Sequence, residues 1–308
     1  MNQTIKTSIG LIKLARPKHW VKNSFLFAPL LFSGLFVDLD SVLRTLWAFA
    51  VFCLAASATY VLNDIKDVKA DKLHPKKSLT RPIAAGMVTV PQAWFLFAFL
   101  ILGIIAMLFP YSQFQASNGY HQDSADKAFT LPLPALSGII LTYLLLNIAY
   151  SFYLKRLAII DIFAIAAGFV LRVFAGAISI EVPVSNWMFI TTLFLALFFA
   201  SMKRLQEVKS HGSASRVVLE TYSQAFIERI VMVTGTLTIA FYGIFTLTER
   251  PVFLATIPVV LFAMLRYWHV ADVVGAGESP TDVVLKDKQI LTASLLLVAI
   301  SIYALTQK

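Results

Sequence analysis

The chain has 308 residues, of which 58% are hydrophobic and only 14% are charged, and its formal net charge is +9. Soluble domains are typically about 45–50% apolar and about 25% charged, so this composition excludes an ordinary soluble domain. The single cysteine, Cys53, excludes an intrachain disulfide and a cysteine-based zinc site, and we interpret it as a buried packing residue.

Long apolar stretches recur along the chain, and a helix needs about 20 mostly apolar residues to cross the hydrocarbon core. Several of these stretches contain clusters of Gly, Ala and Ser, which allow helices to pack closely in lipid. We therefore predict one all-α polytopic membrane domain over residues 1–308, with about nine helices around a central cavity that opens to the cytoplasm. The predicted spans are 20–37, 42–62, 91–110, 134–154, 158–179, 187–205, 229–247, 252–270 and 288–305.

The distribution of positive charge predicts the orientation. With the N-terminus in the cytoplasm, most of the 26 Lys and Arg fall on the cytoplasmic side, as the positive-inside rule requires. The polar stretch 111–133 then lies on the opposite side, and we assign it no function. Topology accounts for the net charge, and no basic cluster alternates with aromatic residues as in single-strand binders, so nucleic acid is not an expected partner.

The most specific segment is 60–86, YVLNDIKDVKADKLHPKKSLTRPIAAG, which follows the second predicted span. Asn63, Asp67 and Asp71 are spaced i, i+4, i+8, which places them on one helix face, and Asp64 borders that face. Oxygen ligands with neighbouring lysines and an arginine suit a metal-bridged diphosphate. The alternative is a solvated loop that is basic only because it faces the cytoplasm.

Arg172, within GFVLRVFAG, is the second unusual residue, because a charge inside a span is costly and usually faces a partner or a polar cavity. We consider two roles for it: binding an anionic ligand in the central cavity, or a structural ion pair with an acid on another helix. Other inner helix ends also carry cations, although any multi-pass protein would show them.

NDIKDVKAD, residues 63–71, resembles the first motif, NDxxDxxxD, of the UbiA superfamily of intramembrane prenyltransferases. The resemblance covers essentially the whole chain and is closer to the branch of decaprenyl-phosphate phosphoribosyltransferases. In place of the second Asp-rich motif of aromatic prenyltransferases, the chain has ASMKRLQEV, with cations instead of an acid pair. The segments similar to that branch are RPKHWVKN (16–23), HPKKSLTRPIAAG (74–86), GFVLRVFAG (168–176), MKR (202–204) and LRYWHVADVVGAGESPTDVVLKD (265–287).

This resemblance implies a Mg²⁺-dependent transferase in a bacterial cell membrane. It would move 5-phosphoribosyl from phosphoribosyl diphosphate to a polyprenyl phosphate such as decaprenyl phosphate. The diphosphate would be released, and the product would serve arabinose-type cell-envelope glycolipids. The implied metal ligands are Asn63, Asp64, Asp67 and Asp71, and the implied catalytic residues are Asp64, Asp67, Lys22 and Arg81. The implied phosphate-binding residues are Lys18, Lys22, Asn23, Lys76, Arg81, Lys155, Arg172, Lys203 and Arg204.

Two other functions are considered. An aromatic prenyltransferase would use the same first motif with a prenyl diphosphate donor, and the cations at 202–204 argue against it. A transporter or flippase would use the acids as an ion site, but the charges cluster on one side of the membrane and not at its midplane. The sequence leaves a homo-oligomer open and does not assign individual cations to individual phosphates.

Overall fold

The structure, a computed structural model, describes residues 3–73, 77–117, 135–211, 221–274 and 280–306. Within those residues the chain is all-α and contains no strand, as predicted. The α-helices in chain order are α1 (Gln3–Ala15), α2 (Phe27–Ser33), α3 (Leu39–Leu73), α4 (Lys77–Thr80), α5 (Val90–Ser117), α6 (Ala135–Phe152), α7 (Ile160–Ser179), α8 (Asn186–His211), α9 (Gln224–Thr248), α10 (Ile257–Val274), α11 (Pro280–Lys286) and α12 (Lys288–Thr306).

Seven of the described helices are long and apolar enough to cross a membrane, and Leu136–Phe152 is a shorter apolar helix. The predicted count of nine is therefore not confirmed. The first predicted span, 20–37, consists of the 3-10 helix Pro17–Leu26, the short α2 and a second 3-10 turn. Gly34, with φ of 87°, ends α2, because glycine adopts this left-handed conformation without the steric cost of a Cβ atom.

Large apolar side chains remain exposed on several of these helices, as a lipid environment requires. On α5, for example, Phe95, Phe99 and Leu102 are each more than half exposed. Such an apolar surface would be unfavourable in water but is neutral against lipid tails. The length, the composition and the exposed faces of the helices together describe a multi-pass membrane protein.

The chain divides into two compact units. The N-terminal unit contains Met1–Ser24 and Leu46–Ile148. Its core joins α1 to α3 and α5 through buried residues that include Leu14, Val61 and Leu100. Gly10 on α1 lies against Val88, and a Cβ at this position would be only 2.6 Å from Val88 Cγ2.

The C-terminal unit contains Phe25–Thr45 and Ala149–Lys308. Helix α8 packs against both α7 and α9, and its buried Phe198 lies in a core with Ile162 and Tyr267. Gly176 on α7 allows a close approach of the backbone at Leu26, since a Cβ there would lie 2.0 Å from the Leu26 carbonyl oxygen.

Candidate functional site

The acidic motif lies in the last three turns of α3, within the N-terminal unit. This helix has 35 residues and is therefore about 52 Å long, whereas the hydrocarbon core is about 30 Å thick. Its polar C-terminal part therefore extends past the apolar part that can cross the membrane. Along it, Asn63 and Asp67 are half-buried, while Asp64 and Asp71 are buried.

Asp64 is the centre of this region. Its side chain is 1% exposed, and its Oδ1 atom accepts hydrogen bonds from the guanidinium groups of both Arg16 and Arg81. Its second oxygen, Oδ2, is buried and has no hydrogen-bond partner among the described residues. A buried carboxylate oxygen without a partner is costly, so this atom is available to a ligand that brings a positive charge or a donor.

Arg16 reaches Asp64 from an unusual backbone conformation. Its φ is 52°, in the left-handed region, at the point where α1 ends and the Pro17–Leu26 helix begins. Its guanidinium lies 4.8 Å from the ring centroid of Tyr60, one turn before Asp64 on α3. Backbone conformations of this kind cost about 1–3 kcal/mol and persist where the surroundings hold them, often at functional sites.

The segment after Arg16 is fixed on the same face of α3. Trp20 Nε1 donates to Ser57 Oγ at 3.0 Å, and Ser57 in turn donates to the carbonyl of Ala15 at 2.8 Å. Ser57, Tyr60 and Asp64 are spaced i, i+3, i+7 and so form one stripe. The turn between α1 and the Pro17–Leu26 helix is thereby held against the acidic end of α3.

Asp71 lies one turn beyond Asp67 and is paired differently. Its carboxylate is 3.7 Å from Nζ of Lys77, and its side chain is 7% exposed. Lys77 begins the short α4, and Arg81 follows directly after that helix. The chain that follows the motif thus folds back and returns two of its cations to the acids of α3.

The side chains of this region contain the types of ligand atom that a divalent metal such as Mg²⁺ binds. Carboxylate and amide oxygens are the protein ligands that Mg²⁺ accepts, and the buried Asp64 Oδ2 lacks a partner in the described chain. No three His, Cys, Asp or Glu side chains of the described ranges, however, are grouped closely enough to hold a metal without rearrangement. In this structure Asp64 and Asp71 each face a cation of the protein.

The other predicted binding residues of the N-terminal unit differ in exposure. Lys18 is exposed and Lys22 is half-buried. Asn23 is fully buried, and its amide donates to Sγ of Cys53 at 3.2 Å, so the interpretation of Cys53 as a packing residue is confirmed. Lys76 lies outside the described residues, together with His74 and residues 118–133 of the polar stretch.

The C-terminal unit contains the remaining predicted cations. Lys155 is half-buried in the turn after α6, and Lys203 Nζ is 3.9 Å from Glu207. Arg172 is 5% exposed, donates to the carbonyl of Gly168 at 2.6 Å and lies over the ring of Phe169. These contacts are local to α7 and do not decide between the two predicted roles of Arg172.

Arg204 differs most from the prediction. Its side chain is fully buried, and its guanidinium bonds to Asp161 at 2.6 Å, to Glu207 and to the hydroxyl of Tyr150 at 2.7 Å. Asp161 is also fully buried and accepts a 2.6 Å hydrogen bond from Tyr222. Two carboxylates and a phenol satisfy this arginine, which leaves little capacity for a phosphate.

Sequence reasoning missed two parts of these clusters. Arg16 lies 48 residues before Asp64, and it makes this contact from a residue of positive φ at the end of α1. The network of Asp161, Tyr150 and Tyr222 joins residues up to 72 positions apart, so no short motif contains it. The acid in the first turn of α7 was visible in the sequence, but a helix N-terminus alone explains an acid there.

Comparison with known proteins gives a consistent family. The profile of the UbiA prenyltransferase family matches residues 24–276. A decaprenyl-phosphate phosphoribosyltransferase from Corynebacterium glutamicum is 32% identical over 298 residues, covering 93% of this chain and 83% of the relative. A protein of the same name from Mycobacterium tuberculosis is 33% identical over 304 residues, covering 94% and 92% of the two chains.

The fold is also similar to a solved structure. A UbiA homolog from Archaeoglobus fulgidus, bound to GPP and Mg²⁺, superposes with a TM-score of 0.67 over 96% of this chain and 99% of the other. The two sequences are 17% identical, so this likeness concerns the fold alone.

Proposed function

The chain belongs to the UbiA prenyltransferase family and is a membrane transferase, and from this premise we propose that it transfers 5-phosphoribosyl to a polyprenyl phosphate. The donor is phosphoribosyl diphosphate, and the products are diphosphate and a phosphoribosyl lipid, a precursor of cell-envelope glycolipids of the arabinose type. The relatives named decaprenyl-phosphate phosphoribosyltransferase, about a third identical over most of their length, support this proposal.

One structural observation supports it most strongly. A buried carboxylate, Asp64, holds two arginines on the acid-bearing face of α3 and keeps one oxygen without a partner. Neighbouring acids and arginines suit a diphosphate with a bound metal ion, because the carboxylates can bind the metal and the guanidinium groups can bind the phosphate oxygens. An ordinary solvated loop would expose these side chains and would not bury a carboxylate between two guanidinium groups.

Asn63, Asp67 and Asp71, with Asp64, are the residues that would hold Mg²⁺. When bound, the metal supplies positive charge to the diphosphate and so makes it a better leaving group. Arg16 and Arg81, which both bond to Asp64, would bind oxygens of the diphosphate, since guanidinium groups pair well with phosphate oxygens. An ionised lipid phosphate needs no general base to attack the sugar carbon, so the chain requires no catalytic histidine.

Lys18, Lys22, Lys76, Lys155 and Lys203 are the proposed partners of the 5-phosphate and the lipid phosphate. Asn23, Arg172 and Arg204 are left out of this set, because each is buried with a bond to the protein itself. The polyprenyl tail lies against the exposed apolar helix faces. We place the N-terminus in the cytoplasm of a bacterial cell, because this orientation satisfies the positive-inside rule.

The proposal is tested with purified protein in lipid nanodiscs, Mg²⁺, labelled phosphoribosyl diphosphate and decaprenyl phosphate. We expect labelled lipid and released diphosphate, and no product when a prenyl diphosphate and an aromatic acceptor replace the two substrates. Product only in the second arm would identify an aromatic prenyltransferase. Flux across vesicles without product in either arm would identify a transporter.

The metal role is tested with a matched pair of variants on one helix. Asp67→Asn should lower turnover at least about 100-fold, as the loss of one charge-stabilising group typically does. Asp40→Asn removes an exposed acid at the other end of α3 and should leave turnover within about twofold. Full activity in Asp67→Asn would remove Asp67 from the metal site.

A further inference from the structure

The loop between α6 and α7, residues 153–159, contains Lys155 and Arg156 and ends in an unusual turn. Ile159 has φ of 69° and ψ of −47°, and the N–H of Ile160 donates to the carbonyl of Ala158 at 2.8 Å. This is a γ-turn with positive φ, which is rare and strained, and more so at a β-branched residue. Such a conformation persists only where surrounding contacts hold it.

Tyr222, just before α9, contacts this turn from outside the loop. Its hydroxyl accepts a hydrogen bond from the N–H of Ile159 and donates one to Asp161 Oδ1 at 2.6 Å. Burial, together with the bond to Asp161, raises the pKa of Tyr222 above its usual value, so the hydroxyl keeps its proton at neutral pH. One hydroxyl therefore joins the strained turn to the first turn of α7.

Arg204 on α8 holds both ends of the same loop. Its Nη2 donates to the hydroxyl of Tyr150 in the last turn of α6, and its Nε donates to Asp161 in the first turn of α7. These two residues bracket the loop, so one guanidinium fixes the distance between the helix ends that the loop connects. Because Arg204 and Asp161 are fully buried, solvent does not weaken these bonds.

We propose that Tyr222 and Arg204 are positioning residues, which hold the 153–159 loop in the conformation that presents Lys155 and Arg156 to a substrate phosphate. This inference rests on the proposed function, in which cations of the cytoplasmic helix ends bind phosphate groups. It assigns a role to the strain at Ile159: the turn places two cations where an unstrained connection would not, and the buried network prevents it from relaxing.

Tyr222→Phe tests this directly, because it removes the hydroxyl and keeps the ring. We expect the KM for one phosphorylated substrate to rise about tenfold, as for the loss of a hydrogen bond that involves a charged group, with kcat within about twofold. The KM is measured separately for phosphoribosyl diphosphate and decaprenyl phosphate, and the one that rises identifies which phosphate the loop binds. Unchanged KM values for both substrates would overturn the proposal.

Tyr242→Phe is the matched control. Its hydroxyl is also buried and bonds to Thr256 at 2.6 Å, but it lies 20 residues further along the chain, near the other end of α9. Like Tyr222→Phe, this variant should lower the thermal stability, but it should leave both KM values unchanged. An equal rise in KM in the two tyrosine variants would show a general structural effect and would contradict a specific role of Tyr222.

A second-site substitution provides a rescue. Glycine adopts positive φ without the cost of a Cβ, so Ile159→Gly should reduce the KM defect of Tyr222→Phe at least threefold, a partial reversal of the tenfold loss. Amide hydrogen exchange of residues 153–160 provides a readout that needs no substrate: exchange should accelerate about tenfold in Tyr222→Phe and remain unchanged in Tyr242→Phe. If the wild-type protein transferred nothing from phosphoribosyl diphosphate, the function proposal would fail, whereas unchanged exchange would overturn the positioning role alone.

Discussion

The two units each contain a buried aspartate bonded to arginine, and the two clusters differ in how completely they are satisfied. In the N-terminal unit, Asp64 has one oxygen without a partner, and its arginines are 18% and 26% exposed. In the C-terminal unit, Asp161 uses both oxygens, and Arg204 is fully buried. The same residue types therefore form an incomplete cluster in one unit and a closed network in the other.

This difference is the reason why we propose ligand binding for the first cluster and structural support for the second. A partly exposed arginine can exchange a carboxylate for a phosphate, because water stabilises it during the exchange. Water cannot stabilise a fully buried arginine in this way, so the loss of a partner leaves an uncompensated charge in a medium of low polarity. Residue type alone did not distinguish the two clusters: Arg81 of the first cluster and Arg204 of the second were both predicted to bind phosphate.

The largest expected effect comes from breaking the closed network. Asp161→Asn should destabilise the protein by about 3–5 kcal/mol, the usual cost of removing one partner of a buried ion pair. The midpoint of thermal unfolding in detergent measures this, and the yield of folded protein should fall with it. A midpoint that stays within one degree of the wild type would contradict the structural role of the network.

The same substitution in the open cluster should act on activity. Asp64→Asn should lower turnover at least about 100-fold, because the proposed metal site would lose a charged ligand and Arg16 and Arg81 would lose their charged partner. Its effect on the unfolding midpoint should be much smaller than that of Asp161→Asn, since Arg16 and Arg81 reach water. Equal losses of stability in the two variants would remove the distinction between the clusters.

A smaller effect concerns packing in the C-terminal unit alone. Gly176→Ala places a Cβ 2.0 Å from the carbonyl oxygen of Leu26, so α7 or the 3-10 helix before α2 must shift. We expect a destabilisation of about 1–3 kcal/mol, as for overpacked interiors. Gly243→Ala is the control, because a Cβ there meets no atom within 4 Å, and its unfolding midpoint should not fall.

The smallest effect is a pH dependence at the start of α12. Arg266 donates to Asp287 at 2.9 Å, and this bond holds the pKa of Asp287 below its usual value. A carboxylate whose pKa is lower in the folded than in the unfolded state stabilises the fold at pH values above the ordinary Asp pKa of about 3.9. This contribution is lost as the pH falls through the pKa of the folded state. Asp287→Asn should therefore slightly lower the unfolding midpoint at pH 7, and the difference should shrink as the pH falls below the ordinary Asp pKa.

Much of the fold was predictable because membrane insertion leaves a strong signal in sequence. The all-α class and most of the spans follow from the length of the apolar stretches. Seven of the nine predicted stretches coincide with helices that are long and apolar enough to cross a membrane. The prediction of one continuous helix over 20–37 was wrong. The length of an apolar stretch does not show that Gly34 ends α2 or that Pro17–Leu26 forms a 3-10 helix. Hydropathy measures transfer into lipid and not the regularity of the backbone.

The candidate site was predictable in part. The spacing of Asn63, Asp67 and Asp71 is a property of one helix, and the structure places all three on α3 as predicted. The metal itself stays a prediction, and so do the assignments of single lysines to single phosphates. Arg16 was absent from the predicted site, because its contact with Asp64 joins residues 48 positions apart and no short motif contains both.

The sequence by itself determined that the chain spans a membrane, that an acidic helix end follows its second apolar stretch, and that cations surround it. These features are local or periodic, and the physics that produces them acts over a few turns of helix. Only the tertiary structure decided which arginine is fully buried and which remains partly exposed. Burial depends on residues that are distant in sequence, and the surrounding dielectric, rather than residue type, sets the cost of a charge.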